Sequence, residues 1–222
     1  MLVVAIDPGV REKISVSRLV EEVDDLAAGY KIGIPFVLKY GRKGVRELRK
    51  ATEHPIILDL KLADIGDVMA EILKLAASLR VNAVIAHAFV GYESALEILA
   101  ETAERVGVGL ILVVSMSHKG SREFIDKHVN EFVWIAKRIR AHGVVAPATR
   151  PDIIKHVRSL VEDSMKIYSP GIGVQGAEPG VALCAGADYE IVGRLITGSV
   201  NPREAVKAVR ETQLRRWLKC RG

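Results

Sequence analysis

The chain has 222 residues, 49% of them hydrophobic and 27% charged, with a formal net charge of +5. That balance describes a globular chain long enough to bury a full core, and no apolar stretch reaches the length of a membrane span. Lys and Arg are dispersed among acids except in the run Arg215-Arg216-Trp217-Leu218-Lys219-Cys220-Arg221, which reads as a solvated terminal helix rather than a nucleic-acid or membrane surface.

Apolar runs and amphipathic stretches alternate along the whole chain. A β-branched run, Leu2 to Ile6, ends at Asp7-Pro8-Gly9 and is followed by an amphipathic stretch, Val16 to Ala27. Tyr30 to Ile34 is the second strand, with a helix from Val37 to Ala51. The third strand, residues 55–61, precedes a helix from Gly66 to Leu79. Strand Ala83 to His87 pairs with helix 93–106, and Gly109 to Ser115 with a long helix inside 121–141. Gly143 to Ala146 leads to a helix from Pro151 to Glu162. Lys166 to Ser169 opens into a Gly-rich loop and a short helix near 179–186. Tyr189 to Val192 is the eighth strand, and a helix from Pro202 to Leu218 closes the chain. Eight strand–helix units with no linker or repeat predict a single-domain (β/α)₈ barrel over residues 1–222, with an open doubly wound sheet as the alternative.

The N-terminal run lacks a basic n-region and is too short for a signal segment, so a cytoplasmic protein is expected. Cys184 and Cys220 lie far apart without metal-ligand spacing, which predicts no disulfide framework and a reducing interior. Two Gln and three Asn beside abundant charge hint at a thermophilic source.

Chemistry concentrates where strands end. In the third strand, period two puts Ile57, Asp59 and Lys61 on one face and Leu58 and Leu60 on the other, with Asp64 three residues later. Charges on the inner face of a strand covered on both sides are costly unless they pair or work. A Lys between carboxylates keeps its proton, which suits proton donation or carbanion stabilisation better than Schiff-base chemistry. The plainer reading is an ion-pair network bracing the barrel mouth.

The segment Ser169-Pro-Gly-Ile-Gly-Val-Gln-Gly176 contains Gly171, Gly173 and Gly176 at the dinucleotide spacing. It follows a late strand, and Glu178-Pro179 delays the helix, so a phosphate cradle fits better than a dinucleotide site. Gly193 and Arg194 follow the eighth strand, completing the position where barrels place phosphate. Asp7 and Lys31 end the first two strands and suit ion pairing or substrate hydroxyls; His87 reads as a core or rim histidine. No His, Cys and Asp set has metal-ligand spacing. Ser117 lacks the context of a hydrolase nucleophile, though its hydroxyl suits an amide-bearing substrate.

Taken together, Asp59-x-Lys61-x-x-Asp64-Ile65, Met116-Ser117-His118, Ser169-Pro-Gly-Ile-Gly-Val-Gln175 and Gly193-Arg194 resemble the orotidine 5′-phosphate decarboxylase family, in its compact archaeal form. The resemblance implies a cofactor-free, metal-free homodimeric barrel converting orotidine 5′-monophosphate to uridine 5′-monophosphate. It implies that Asp59 sits beside the substrate carboxylate and that Lys61 stabilises and protonates a C6 carbanion. Asp64 would serve the partner's site, Ile65 would contact the substrate, and Asp7 and Lys31 would bind ribose and complete a charge array. Ser117 would contact the pyrimidine and link to Gln175. Gly171, Ile172, Gly173, Gln175, Gly193 and Arg194 would surround the phosphate, with Pro170, Ile85 and Val113 as apolar wall. One departure stands out: the family usually has Thr four residues after the last Asp, and this chain has Val68. The competing expectations are a magnesium-dependent sugar-phosphate relative, such as 3-keto-L-gulonate 6-phosphate decarboxylase or hexulose phosphate synthase, a non-catalytic nucleotide-binding barrel, and a dinucleotide-dependent oxidoreductase.

Overall fold

The computed structural model describes residues 1–9 and 15–221. Eight parallel strands close into a barrel in sequence order: β1 (Leu2–Ile6), β2 (Gly29–Gly33), β3 (Ile56–Leu62), β4 (Ala83–His87), β5 (Gly109–Val113), β6 (Gly143–Val145), β7 (Lys166–Pro170) and β8 (Tyr189–Val192). Pairing of Val3 with Ile191 joins the first strand to the last, which removes every sheet edge and excludes the open sheet. The main helices are α1 (Val16–Val23), α2 (Ile34–Ala51), α3 (Gly66–Ala77), α4 (Glu97–Val106), α5 (Val129–Arg138) and α6 (Pro151–Val161). Two four-residue helices, α7 (Val181–Cys184) and α8 (Arg194–Thr197), follow β7 and β8, and α9 (Pro202–Arg221) closes the chain.

Strand alternation divides the core in two. Val3, Ala5, Ile57, Ile85, Ile111 and Val113 point inward and fill the barrel, whereas Val4, Ile32, Leu58, Val84 and Leu112 point outward under the helices. This is why each strand reads as a continuous apolar run. The described residues contain no helix long and apolar enough to cross a membrane.

Three details depart from the sequence reading. The long helix expected within 121–141 is two 3₁₀ turns, Lys119–Glu123 and Ile125–His128, followed by α5. The helix α8 was not expected, because four residues carry no period. Third, Cys184 and Cys220 form a disulfide, with Cα atoms 5.9 Å apart. The expectation of unpaired cysteines in a reducing interior is therefore corrected. Sequence spacing carried no sign of the pairing, since it arises from α7 packing against the far end of α9. Intracellular proteins of hyperthermophiles also carry such bonds, so the disulfide alone assigns no compartment.

Candidate active site

A cavity of about 410 Å³ opens at the C-terminal rim of the barrel, the end where barrel enzymes place their loops. The inward residues at the ends of β1, β2 and β3 form one chain of alternating charge in it. The Asp7 carboxylate accepts from Lys31 Nζ at 2.6 Å, Lys31 Nζ lies 3.3 Å from Asp59, and Lys61 Nζ donates to both Asp59 oxygens at 2.9 and 2.8 Å. Asp7 also accepts from the Gly33 amide at 2.7 Å. A side chain at position 33 would put its Cβ 2.6 Å from that carboxylate oxygen, so glycine is what lets the two strand ends approach.

The backbone explains how β3 presents two charges in succession. Its pairing with β4 jumps from Leu58–Val84 to Leu62–Ala86, so four residues on β3 span two on β4, as in a bulge. Lys61 sits inside this bulge with φ +45°, a conformation a non-glycine residue adopts at a cost. Asp59 and Lys61 both line the cavity.

Burial acts on these groups, and their neighbours outweigh it. Burial works to lower the pKa of Lys31, but Asp59 and then Asp7 hold its ammonium above the ordinary lysine value. Burial likewise works to raise Asp59, but Lys31 and Lys61 keep the carboxyl below the usual range. His87, at the end of β4, is pushed below the ordinary histidine value by burial and then by the charge of Lys61. Its ring lies 4.7 Å from Phe89, in keeping with a rim histidine.

The remaining wall matches most of the expected residues. Ile85, Val113, Ser117, Pro170, Gly171 and Ile172 line the cavity, and so do Gln175, Gly193 and Arg194. Gly171 and Gly173 have φ of +110° and +79°, and the loop folds on itself through Gly173 N–H to Ala177 O at 2.8 Å. Asp64, Ile65 and Gly173 do not line the cavity of the single chain. Asp64 is exposed and its carboxylate accepts from the Ile65 amide at 2.8 Å, Ile65 is exposed on the outer surface, and Gly173 faces Leu195.

Sequence reasoning missed the support beneath Ser117. Arg150, after β6, pairs with Asp126 and donates to the Met116 carbonyl. Asp126 also accepts from Ser115 at 2.8 Å and Ser121 at 2.7 Å. Burial opposes the charge on Asp126, yet the Arg150 and serine hydrogen bonds hold its carboxyl below the ordinary value. This knot pins the backbone on which Ser117 is mounted. Arg150 lies in the segment after β6, but its partner lies 24 residues earlier in a segment read as helix.

Residues 1–209 match the profile of the orotidine 5′-phosphate decarboxylase / HUMPS family. The orotidine 5′-phosphate decarboxylase of Aeropyrum pernix is 44% identical over 95% of this chain and 87% of its own length. That of Pyrococcus furiosus is 39% identical over 98% and 99%. A crystal structure of the Sulfolobus solfataricus orotidine 5′-monophosphate decarboxylase superposes with TM-score 0.87 at 33% identity, covering 97% of this chain and 98% of that one. The Methanocaldococcus jannaschii enzyme complexed with the inhibitor BMP gives TM-score 0.87 at 30% identity, covering 96% and 97%. By profile, sequence and fold, the chain belongs to the orotidine 5′-phosphate decarboxylase / HUMPS family.

Proposed function

We propose that the chain decarboxylates orotidine 5′-monophosphate to uridine 5′-monophosphate and carbon dioxide, the UMP-forming step of pyrimidine biosynthesis, in the cytoplasm and without metal or organic cofactor. The observation that carries this reading is the Asp7–Lys31–Asp59–Lys61 array lining the same cavity as Gln175 and Arg194. An anion-binding end and a charged reacting end share one pocket.

The substrate lies with its phosphate against Gln175, Gly193 and Arg194 and its base against Ser117. Its carboxylate is then beside Asp59, where like charge disfavours the ground state. The bond from C6 to the carboxylate breaks heterolytically, carbon dioxide leaves, and the electron pair stays on C6. The Lys61 ammonium stabilises that carbanion and then gives it a proton. Lys31 holds Asp59 ionised throughout, and with Asp7 it meets the ribose. Distant phosphate binding energy assembles the site around the reacting carbon.

The working form in this reading is a homodimer. Ile34, Leu38, Ile65, Val68, Leu75 and Phe89 are exposed apolar residues on α2, α3 and the turns beside them, and a second copy would cover such a surface. Asp64 is exposed next to Ile65, and in this reading it reaches the neighbour's Lys61. Val68 adds apolar contact where a hydroxyl would have made a polar one.

The family profile also names HUMPS enzymes, and Ser117 and Gln175 on the cavity wall favour a base-bearing substrate over a sugar phosphate. Loss of absorbance by orotidine 5′-monophosphate, measured with and without a strong chelator, tests the proposal. Equal turnover in both supports it. Turnover abolished by the chelator, or none under either condition, contradicts it.

A further inference from the structure

One buried acid has no part in the charge array. Glu190 lies on β8, fully buried, on the outward face with Val192, and its register partner on β1 is the apolar Leu2 of the outer core. A carboxylate there is costly unless its oxygens are satisfied. They are satisfied by the backbone that leaves the Gly-rich loop. The Gly180 amide donates to both oxygens at 2.9 and 2.8 Å, and the Ala182 amide donates to one at 3.0 Å. Gln213 of α9 donates to the other at 2.9 Å. Charge-assisted bonds of this kind are among the stronger ones a neutral donor can make.

The same few residues are tied to α9 by further contacts. Gly180 has φ +89°, and a Cβ there would lie 2.9 Å from the Arg216 side chain and 3.2 Å from the Gln213 Cα. Arg216 pairs with Glu178, and the Cys184–Cys220 bond closes the far end of α7 onto α9. The loop begins where β7 ends, at Pro170, beside the cavity. Its other end is held by Glu190.

We propose that Glu190 is a positioning residue for the phosphate-binding loop: by holding the Gly180 and Ala182 amides it fixes the return end of the loop, and so the place of Gly171 to Gln175 at the cavity. It touches no substrate. Gln213, Arg216 and the disulfide make α9 its backing. The proposal rests on the reading of this loop as the phosphate grip. It has a specific consequence: loosening the anchor penalises the phosphate-bearing substrate while sparing the phosphate-free one, because only the former uses the loop.

The test compares kcat/KM for orotidine 5′-monophosphate and for the nucleoside orotidine in the wild type, Glu190→Ala, Glu190→Gln and Gln213→Leu. In Glu190→Ala the ratio of the two falls by about tenfold or more, the scale expected when a contact is misplaced by a fraction of an ångström. Glu190→Gln keeps most of the ratio, because its amide oxygen still accepts from Gly180 and Ala182 while Gln213 turns its own amide over. Gln213→Leu, which removes a single donor, lowers the ratio by a smaller factor and serves if Glu190→Ala does not fold. A fall shared equally by both substrates, or an unchanged ratio in the variants, overturns the role of Glu190. A wild type indifferent to the phosphate overturns the phosphate-loop reading instead, and the proposal with it.

Discussion

Lys61 Nζ lies 2.9 and 2.8 Å from the two carboxylate oxygens of Asp59, two residues before it on the same strand. Side chains two apart on a regular strand share a face. Lys61 takes φ +45° within the irregular pairing of β3 with β4. Both members of the pair line the cavity. Structural cost is thus concentrated at one residue, the one assigned the proton transfer.

The buried array has a defined pH signature. The Asp59 carboxyl is held below its ordinary value by Lys31 and Lys61 against the effect of burial. Its contribution to stability is present above the unfolded pKa of about 3.9 and is lost as pH falls through the folded value. Lys31 is raised by Asp59 and Asp7 against burial, so its contribution is present below about 10.4 and is lost as pH rises through the folded value. Asp59→Asn should therefore be less stable than wild type by roughly 3 kcal/mol at pH 7, the scale for breaking a buried pair. Thermal melts should show that gap beginning to close below about pH 4, where the unfolded chain takes up protons, and closing fully only as pH falls through the lower folded value of Asp59. A gap constant from pH 7 down to pH 2 would refute the assignment.

The disulfide should matter to stability. Cys184 and Cys220 are 36 residues apart, and in the chain-entropy account closing that span disfavours the unfolded chain by roughly 4 kcal/mol. For a domain of this size each kcal/mol moves Tm by about 2–4 °C. Cys220→Ser, compared with oxidised wild type in calorimetry, should melt roughly 10 °C lower. Equal melting temperatures would show that the bond contributes nothing to holding α9.

If Asp64 serves the neighbouring subunit, two inactive variants should complement each other. A dimer of Lys61→Ala with Asp64→Ala has one site with both residues intact and one with neither. Unfolding and refolding an equal mixture should restore up to about a quarter of wild-type turnover, since half of the dimers are mixed and each has one complete site. No recovery, in a mixture shown to contain mixed dimers, would place Asp64 in the site of its own chain or outside the site altogether.

Much of this molecule was legible in its sequence, for identifiable reasons. Each strand is covered on both faces and so reads as an apolar run, which exposed the count of eight. Asp7, Lys31, Asp59 and Lys61 were visible because charge at the end of such a run is expensive. Other features left no local trace. The bulge at Lys61 is a property of pairing with β4, and α8 is too short to show a period. Arg150 and Asp126 meet only because two loops fold over each other. The burial of Glu190 depends on α9 packing across its strand, which the strand itself does not show. The cysteine pair failed for the same reason: contact between the ends of α7 and α9 is a tertiary fact.

The central claim is that Lys61 carries the chemistry of the cavity, and Lys61→Ala tests it most directly. The variant removes one ammonium exposed to the cavity and leaves Asp59 paired with Lys31, so it should fold and keep the wild-type assembly. Single-turnover decarboxylation of orotidine 5′-monophosphate, with uridine 5′-monophosphate affinity measured alongside, should show the chemical step slowed by at least about a thousandfold, as expected for loss of the proton donor and its charge. Product affinity should change little. Turnover within about tenfold of wild type would contradict that role for Lys61.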